Sequence, residues 1–168
     1  QQTGVRSIVV QADITDEKSV RAMQQTIGEK LCAPDIVVNN AVHQYKWVKV
    51  LEQNLEDYES QFRSCVMQNV LMAQAFVPAM IEKRWGRVIN ISGKSEAESL
   101  VTANPAKAAI HAWSKGLSRK VGRHGITVNC IPPGRIMSEQ IRRKYSEQYR
   151  AEQSAKEIPV GRYGEPEE

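Results

Sequence analysis

The stretch Gly86-Arg87-Val88-Ile89-Asn90-Ile91-Ser92-Gly93 places three β-branched residues, Val88, Ile89 and Ile91, just ahead of a Ser-Gly turn signal. A run so short and so β-branched reads as a strand rather than a helix. Three further stretches share the pattern: Ser7–Ala12 (SIVVQA), Asp35–Asn39 (DIVVN) and Ile126–Ile131 (ITVNCI). Their nearly continuous apolar character is that of parallel strands covered on both faces.

Three helical patterns lie between these strands. The first takes Thr15 as its N-cap, has Asp16 and Glu17 in the positively polarised first turn, and carries Val20, Met23, Ile27 and Leu31 on one stripe. The second starts near Asn54, repeats Leu55, Tyr58, Phe62, Val66 and Val70 at three- and four-residue spacing, and runs to about Lys83, with Pro78 expected to bend or end it. The third is read with Asn104 as cap, Pro105 at the first helical position and Gly125 as the stop. Its stripe is Ile110, Trp113, Leu117 and Val121. The order β-α-β-α-β-α-β predicts an α/β fold, a doubly wound, Rossmann-like parallel sheet. After Pro132-Pro133-Gly134 a charged segment, 139–157, carries Ile141, Tyr145 and Tyr149 four apart and reads as a surface helix or lid.

Composition narrows the function classes. The 168 residues, 41% hydrophobic and 25% charged, fit one globular domain spanning 1–168. No apolar run approaches the ~20 residues of a bilayer span, so no membrane partner is expected. The +4 net charge comes from 23 basic and 19 acidic residues. Clusters such as Arg142-Arg143-Lys144 are soon interrupted by acids, so no nucleic-acid partner is expected either. Cys32, Cys65 and Cys130 lie too far apart for a disulfide framework or a CxxC metal site, which predicts no metal and a reducing, cytoplasmic setting. The start, Gln1-Gln2-Thr3-Gly4-Val5-Arg6, lacks an initiator Met and a signal-peptide pattern and reads as a cut.

In doubly wound sheets ligands bind beyond the carboxyl ends of the strands. Those ends read Ala12-Asp13, Asn39-Asn40-Ala41, Ser92-Gly93 and Pro133-Gly134. The ordered set Gln11-Ala12-Asp13-Ile14-Thr15-Asp16, Val38-Asn39-Asn40-Ala41-Val42, Gly86 to Ser92, Ile126 to Gly134 and Ile158 to Glu168 resembles the short-chain dehydrogenase/reductase family along nearly the whole chain. The resemblance implies an internal piece of such a protein, with the sheet incomplete at both ends, because no glycine-rich GxGxxG turn or family-style variant occurs in these residues. It also implies an NAD or NADP cofactor. Asp13 would accept from the adenine amino group, with Ile14 beside the ring. Asn40 and Ala41 would approach the adenine ribose, where Val42 replaces the usual Gly. Pro133, Gly134, Ile136 and Ser138 would pass the nicotinamide and diphosphate, and Lys107 would hold the nicotinamide ribose.

The family's chemistry is hydride transfer between nicotinamide and a small carbonyl or alcohol, with a Tyr-x-x-x-Lys signature supplying the proton. Here Lys107-Ala108-Ala109 places Ala103 where that tyrosine would stand. Ser92-Gly93 replaces the usual pair of serines. The catalytic residues carried over are therefore Asn69, which the resemblance makes a water-holding residue, Ser92 and Lys107. Water, Lys94, Ser95, Ser99 or Thr102 would have to stand in for the phenol. The expected function is an NAD(P)-dependent oxidoreductase with atypical catalytic residues, acting on a 3-oxoacyl or polyol-like substrate as a homodimer or homotetramer. In that reading 139–157 is the substrate lid, and Met137, Tyr145 and Tyr149 line a moderately apolar pocket. The alternative is a catalytically silent dinucleotide-binding pseudoenzyme with a regulatory or assembly role. The 168 residues alone are expected to be inactive, lacking the diphosphate turn.

Overall fold

A computed structural model describes residues 4–41, 48–96 and 100–168. Val42 and Ser99, singled out above, lie outside the described residues. The chain divides into two compact units, Gln1–Pro132 and Pro133–Glu168.

The first unit is built on three parallel strands in sequence order: β1 (Ile36–Asn39), β2 (Gly86–Ile91) and β3 (Ile126–Ile131). Val37, Val88 and Val128 align across the sheet, as do Asn39, Asn90 and Cys130. Helix α1 (Glu17–Lys30) precedes β1. Between β1 and β2 run α2 (Leu55–Phe62), a π-helical turn at Arg63–Met67 and α3 (Gln68–Lys83). Helix α4 (Ala103–Val121) joins β2 to β3. The core gathers Val20 of α1, Phe76, Val77 and Met80 of α3, Val121 of α4 and the aligned valines of the sheet. The strands alternate rather than being covered on both faces. Ile36 and Val38 remain about half exposed, at 52% and 55%.

Several sequence expectations need correcting. Ser7–Ala12 is not a strand; it joins no ladder among the described residues, and Val9 is fully exposed. β-branched composition gives a strand only where a neighbour supplies the hydrogen bonds and the packing. The N-cap of α1 is Asp16, which accepts from Ser19 N at 2.8 Å, while Thr15 turns back onto Asp13. Pro78 does not end α3: the helix runs on to Lys83 because Phe76, Val77 and Met80 bury it against the sheet. Leu55–Lys83, taken as one run of 29 residues, is long and apolar enough to cross a membrane, contrary to the sequence reading. Its buried face is the core of this unit.

Helix α4 starts at Ala103 rather than beyond Asn104, with Thr102 as a cap that makes no side-chain bond. Ala103 and Ala106 are buried, so packing starts the helix where no capping side chain does. Pro105 falls third in the helix, still within the first turn whose N–H groups have no intrahelical partner. The stop at Gly125 holds. After a 3-10 turn over Gly122–His124, Gly125 adopts φ +77° and its N–H bonds to Gly122 O at 2.9 Å. A Cβ there would sit 2.3 Å from Arg84 O, so the position needs glycine on both counts.

The second unit holds α5 (Glu139–Lys144) and α6 (Glu147–Glu157), so the charged segment is two helices rather than one. Ser138 and Ser146 cap them, accepting from Ile141 N at 3.3 Å and Tyr149 N at 3.2 Å. Tyr145 and Tyr149 stack with ring centroids 5.0 Å apart. Buried Tyr163 donates to Gln153 Oε1 at 2.6 Å, and Gln153 Nε2 donates to Tyr149 Oη at 3.0 Å. Ile136 and Gly164 form a parallel bridge that ties the start of the unit to its end.

Candidate active site

The carboxyl ends of β1 and β2 are joined by a buried amide chain. Asn39 Nδ2 donates to Asn90 Oδ1 at 2.8 Å, and Asn90 Nδ2 donates to Ser114 Oγ of α4 at 2.8 Å. The thiol of Cys130 also donates to Ser114 Oγ, at 3.2 Å. Asn39, Asn90 and Ser114 are nearly inaccessible to solvent, so each bond replaces one that water can no longer make. This chain sets the strand ends and α4 in register.

Beyond it lie the loops. Gln68 Nε2 reaches back to Ala41 O at 2.8 Å and holds the end of the Asn39-Asn40-Ala41 segment. The adjacent Asn69 donates through Nδ2 to Cys65 O at 2.6 Å, within the π turn that packs on α4. Burial pushes the Cys65 thiol pKa up, against smaller opposing effects from Ser64 and the Lys107 charge. On β2, Ser92 N extends the ladder to Ile131 O at 2.9 Å, and Gly93 follows with Lys107 against it. Two buried polar atoms have no partner among the described residues: Asn69 Oδ1 and Ser92 Oγ. A buried polar atom left bare is costly, and here both belong to residues singled out from the sequence.

Asp13 and Ile14 sit at the entry to α1. Asp13 Oδ1 accepts from both the N–H and the hydroxyl of Thr15, each at 2.8 Å. Those two bonds, the backbone one first, hold the carboxyl below its ordinary pKa, with a smaller pull from the Arg63 charge. Ile14 is half-buried, and Asn40 and Ala41 are exposed. In the second unit the Ser138 hydroxyl is engaged as the α5 cap, Ile136 N bonds to Gly134 O at 3.0 Å, and Pro133 and Gly134 are exposed. Ala103 carries no hydroxyl and is buried; Thr102 is buried, whereas Lys94 and Ser95 are exposed.

Sequence reasoning missed His111, whose Nε2 lies 2.8 Å from Gly93 O, as well as Gln68 and the Gln153–Tyr163 pair. His111 was findable: it stands four residues after Lys107, on the same helix face. Two open grooves, of about 430 and 740 Å³, run along α1 and α3. Neither of these two is lined by Ser92, Gly93 or Lys107.

The family model described as Enoyl-(Acyl carrier protein) reductase matches residues 1–168. The 3-oxoacyl-[acyl-carrier-protein] reductase FabG of Aquifex aeolicus is 30% identical, over 98% of this chain and 66% of its own. The rhamnolipids biosynthesis 3-oxoacyl-[acyl-carrier-protein] reductase of Pseudomonas aeruginosa is 32% identical, over 95% of this chain and 65% of its own. Among solved structures, L-sorbose reductase from Gluconobacter frateurii, complexed with NADPH and L-sorbose, superposes with a TM-score of 0.86 at 25% identity, covering 99% of this chain and 68% of that one. The Pseudomonas aeruginosa RhlG/NADP complex gives 0.81 at 29% identity, over 94% and 64%. The chain thus spans just under two thirds of the length of these curated relatives. The three parallel strands with their helical crossovers, the Asn-rich strand ends and a match along every residue lead to one assignment: the chain belongs to the short-chain dehydrogenase/reductase family.

Proposed function

We propose that the protein is an NAD(P)-dependent oxidoreductase that reduces a small carbonyl compound, or oxidises the matching alcohol, with Asn69, Ser92 and Lys107 as its catalytic residues. The observation that carries this reading is the pair of bare, buried polar atoms, Ser92 Oγ and Asn69 Oδ1, in the unit that presents Lys107 at the first turns of α4. An unsatisfied hydroxyl and an unsatisfied amide oxygen suit a site completed by a bound group and its waters. Asp13, held ionised by Thr15, suits an adenine amino group. These residues fit a nicotinamide dinucleotide, and relatives solved with NADPH or NADP support the choice.

When bound, the nicotinamide supplies or accepts the hydride. The chain's own residues do the rest. Lys107 would place a cation for the nicotinamide ribose, Ile14 would sit beside the adenine, and the backbone at Asn40 and Ala41 would serve the adenine ribose. By the family resemblance, Pro133, Gly134 and Ile136 would serve the nicotinamide and diphosphate. Ser138 would do so through its backbone, since its hydroxyl caps α5. Ser92 offers its hydroxyl to the substrate oxygen. Asn69 Oδ1, which has no partner of its own among the described residues, would hold a water that stands in for the absent phenol as proton donor.

Relatives that reduce 3-oxoacyl carriers, and a solved neighbour bound to L-sorbose, favour a 3-oxoacyl thioester or a ketose as substrate. By its resemblance to the family, the segment 139–157 would serve as the substrate lid, with Met137, Tyr145 and Tyr149 as the residues that would line the pocket. A catalytically silent dinucleotide-binding role is not favoured, since the named relatives are reductases. Three free cysteines, one of them exposed, support a reducing cytoplasmic setting. Leu55 and Met67, exposed along the α2–α3 run, support pairing of copies into a homodimer or homotetramer.

The test is cofactor fluorescence and consumption in the full-length protein, with NADH and NADPH against 3-oxoacyl thioesters and ketoses. The expected result is saturable binding and turnover that falls by ~10²-fold or more in Lys107→Ala. Binding without consumption of any substrate in the panel would overturn the enzymatic reading.

A further inference from the structure

We infer that His111 is a positioning residue that sets the Ser92-Gly93 turn and the path of Lys107. Its Nε2 lies 2.8 Å from Gly93 O. A carbonyl oxygen can only accept, so Nε2 carries the proton. The ladder of β2 reaches Ser92, whose N–H bonds to Ile131 O at 2.9 Å. Gly93 O lies one residue further, beyond the strand pairing, and His111 gives it the partner that a backbone carbonyl requires.

Lys107 stands one turn before His111 on the same face of α4. A Cβ built on Gly93 would fall 2.8 Å from Lys107 Cδ and 3.5 Å from its Cβ. The lysine stem therefore runs across the backbone of Gly93, through space that any side chain at that position would claim. One backbone residue is thus gripped twice from α4, by a hydrogen bond from His111 and by the stem of Lys107. Ser92, with its bare hydroxyl, is the next residue along. Releasing the imidazole frees the turn to shift, and Lys107 and the Ser92 hydroxyl shift with it. His111 touches neither substrate nor cofactor in this scheme.

This inference rests on the oxidoreductase reading, and one set of variants separates the two. In the full-length protein, His111→Ala, His111→Gln and Gly93→Ala are compared with wild type for NADPH affinity, for kcat and KM on a ketone substrate, and for melting temperature. Loss of one hydrogen bond that fixes the turn is expected to weaken NADPH binding about fivefold and to lower kcat by at least as much in His111→Ala. The Gln variant keeps an N–H donor at similar reach and returns both to within about twofold of wild type. Gly93→Ala, which pushes on the lysine stem, is expected to resemble His111→Ala. Melting temperatures should not follow this order.

Unchanged affinity and kcat in folded His111→Ala would sink the inference alone, and so would a Gln variant no better than the Ala one. Wild type that binds neither NADPH nor NADH would remove the oxidoreductase reading and this inference together. If His111→Ala does not fold, the nitrogen-15 spectrum of wild-type His111 decides: a proton on Nε2 is expected, and a bare Nε2 with the proton on Nδ1 overturns the proposal.

Discussion

Replacing Asn90 by Ala should be among the most damaging single changes to the first unit. The side chain is 1% exposed and makes two hydrogen bonds, accepting from Asn39 Nδ2 and donating to Ser114 Oγ, each at 2.8 Å. Each bond contributes ~1 kcal/mol, and stranding the buried Asn39 amide costs a further ~1–3 kcal/mol. Ser114 keeps the Cys130 thiol as a donor, so it adds little. The expected loss is about 3–5 kcal/mol, which at a urea dependence of ~2 kcal/mol per molar moves the midpoint down by about 1.5–2.5 M. A double-mutant cycle with Asn39→Ala sharpens the argument. Once Asn39 is gone, removing Asn90 strands no amide and their shared bond is lost only once, so the two losses should fall short of additivity by ~2–4 kcal/mol. An Asn90→Ala cost below ~1 kcal/mol, or strict additivity with Asn39→Ala, would refute the view that this amide chain holds the strand ends.

Met80 has no exposed surface, so Met80→Ala should cost about 2–5 kcal/mol in the same denaturation assay. Gly125→Ala combines a left-handed backbone with a Cβ 2.3 Å from Arg84 O, and should cost more than the ~1 kcal/mol of a strained φ alone, read as the urea midpoint. In the second unit, Tyr163→Phe removes the 2.6 Å bond to Gln153 Oε1 and should cost ~1–2 kcal/mol, seen as faster amide exchange over α6. The Arg162 guanidinium bonds both oxygens of the Glu168 carboxylate and, with the Glu165 N–H, lowers its pKa from 4.5 to about 2. A folded pKa below the unfolded one means that this contribution is complete above pH 4.5 and fades as the pH drops toward 2. Carboxyl NMR should place the Glu168 midpoint near 2, and Arg162→Ala should return it toward 4.5.

What the sequence discloses is what depends on near neighbours. Asn54 caps α2 by accepting from Asp57 N at 2.8 Å, and Gly125 closes the α4 region, because both act within a few residues of themselves. Ser7–Ala12 misleads for the opposite reason: a strand needs a partner that its own letters cannot name. Thr15 and Asp16 are equally good caps in composition, and only the competing bond of Thr15 to Asp13 decides between them. At the candidate site, Ser92, Lys107 and Asn69 come from motifs, yet the geometry around them depends on residues brought from afar. Gly93 meets Lys107 and His111 through folding alone, and Gln68 finds Ala41 across 27 positions. The Tyr149–Gln153–Tyr163 chain lies partly inside a helical period that shows only its apolar stripe, so the amide at 153 gives no sign in sequence that it will be buried.

The π turn at Arg63–Met67 acts as a one-residue gear between two helices. A π turn holds one residue more than the α turn it interrupts, and each α-helical residue is worth a rotation of about 100°. Deleting a residue there would let α2 and α3 fuse into a straight α-helix. The whole of Leu55–Phe62 would then turn by about that angle, carrying Tyr58 and Gln61 off their present faces, while Phe76 and Met80 stayed in the core. A single-residue deletion in this stretch should therefore spare Phe76 and Met80 and be felt at buried Gln61 and Cys65, so that the length of the helix, and not its composition, sets which face α2 presents.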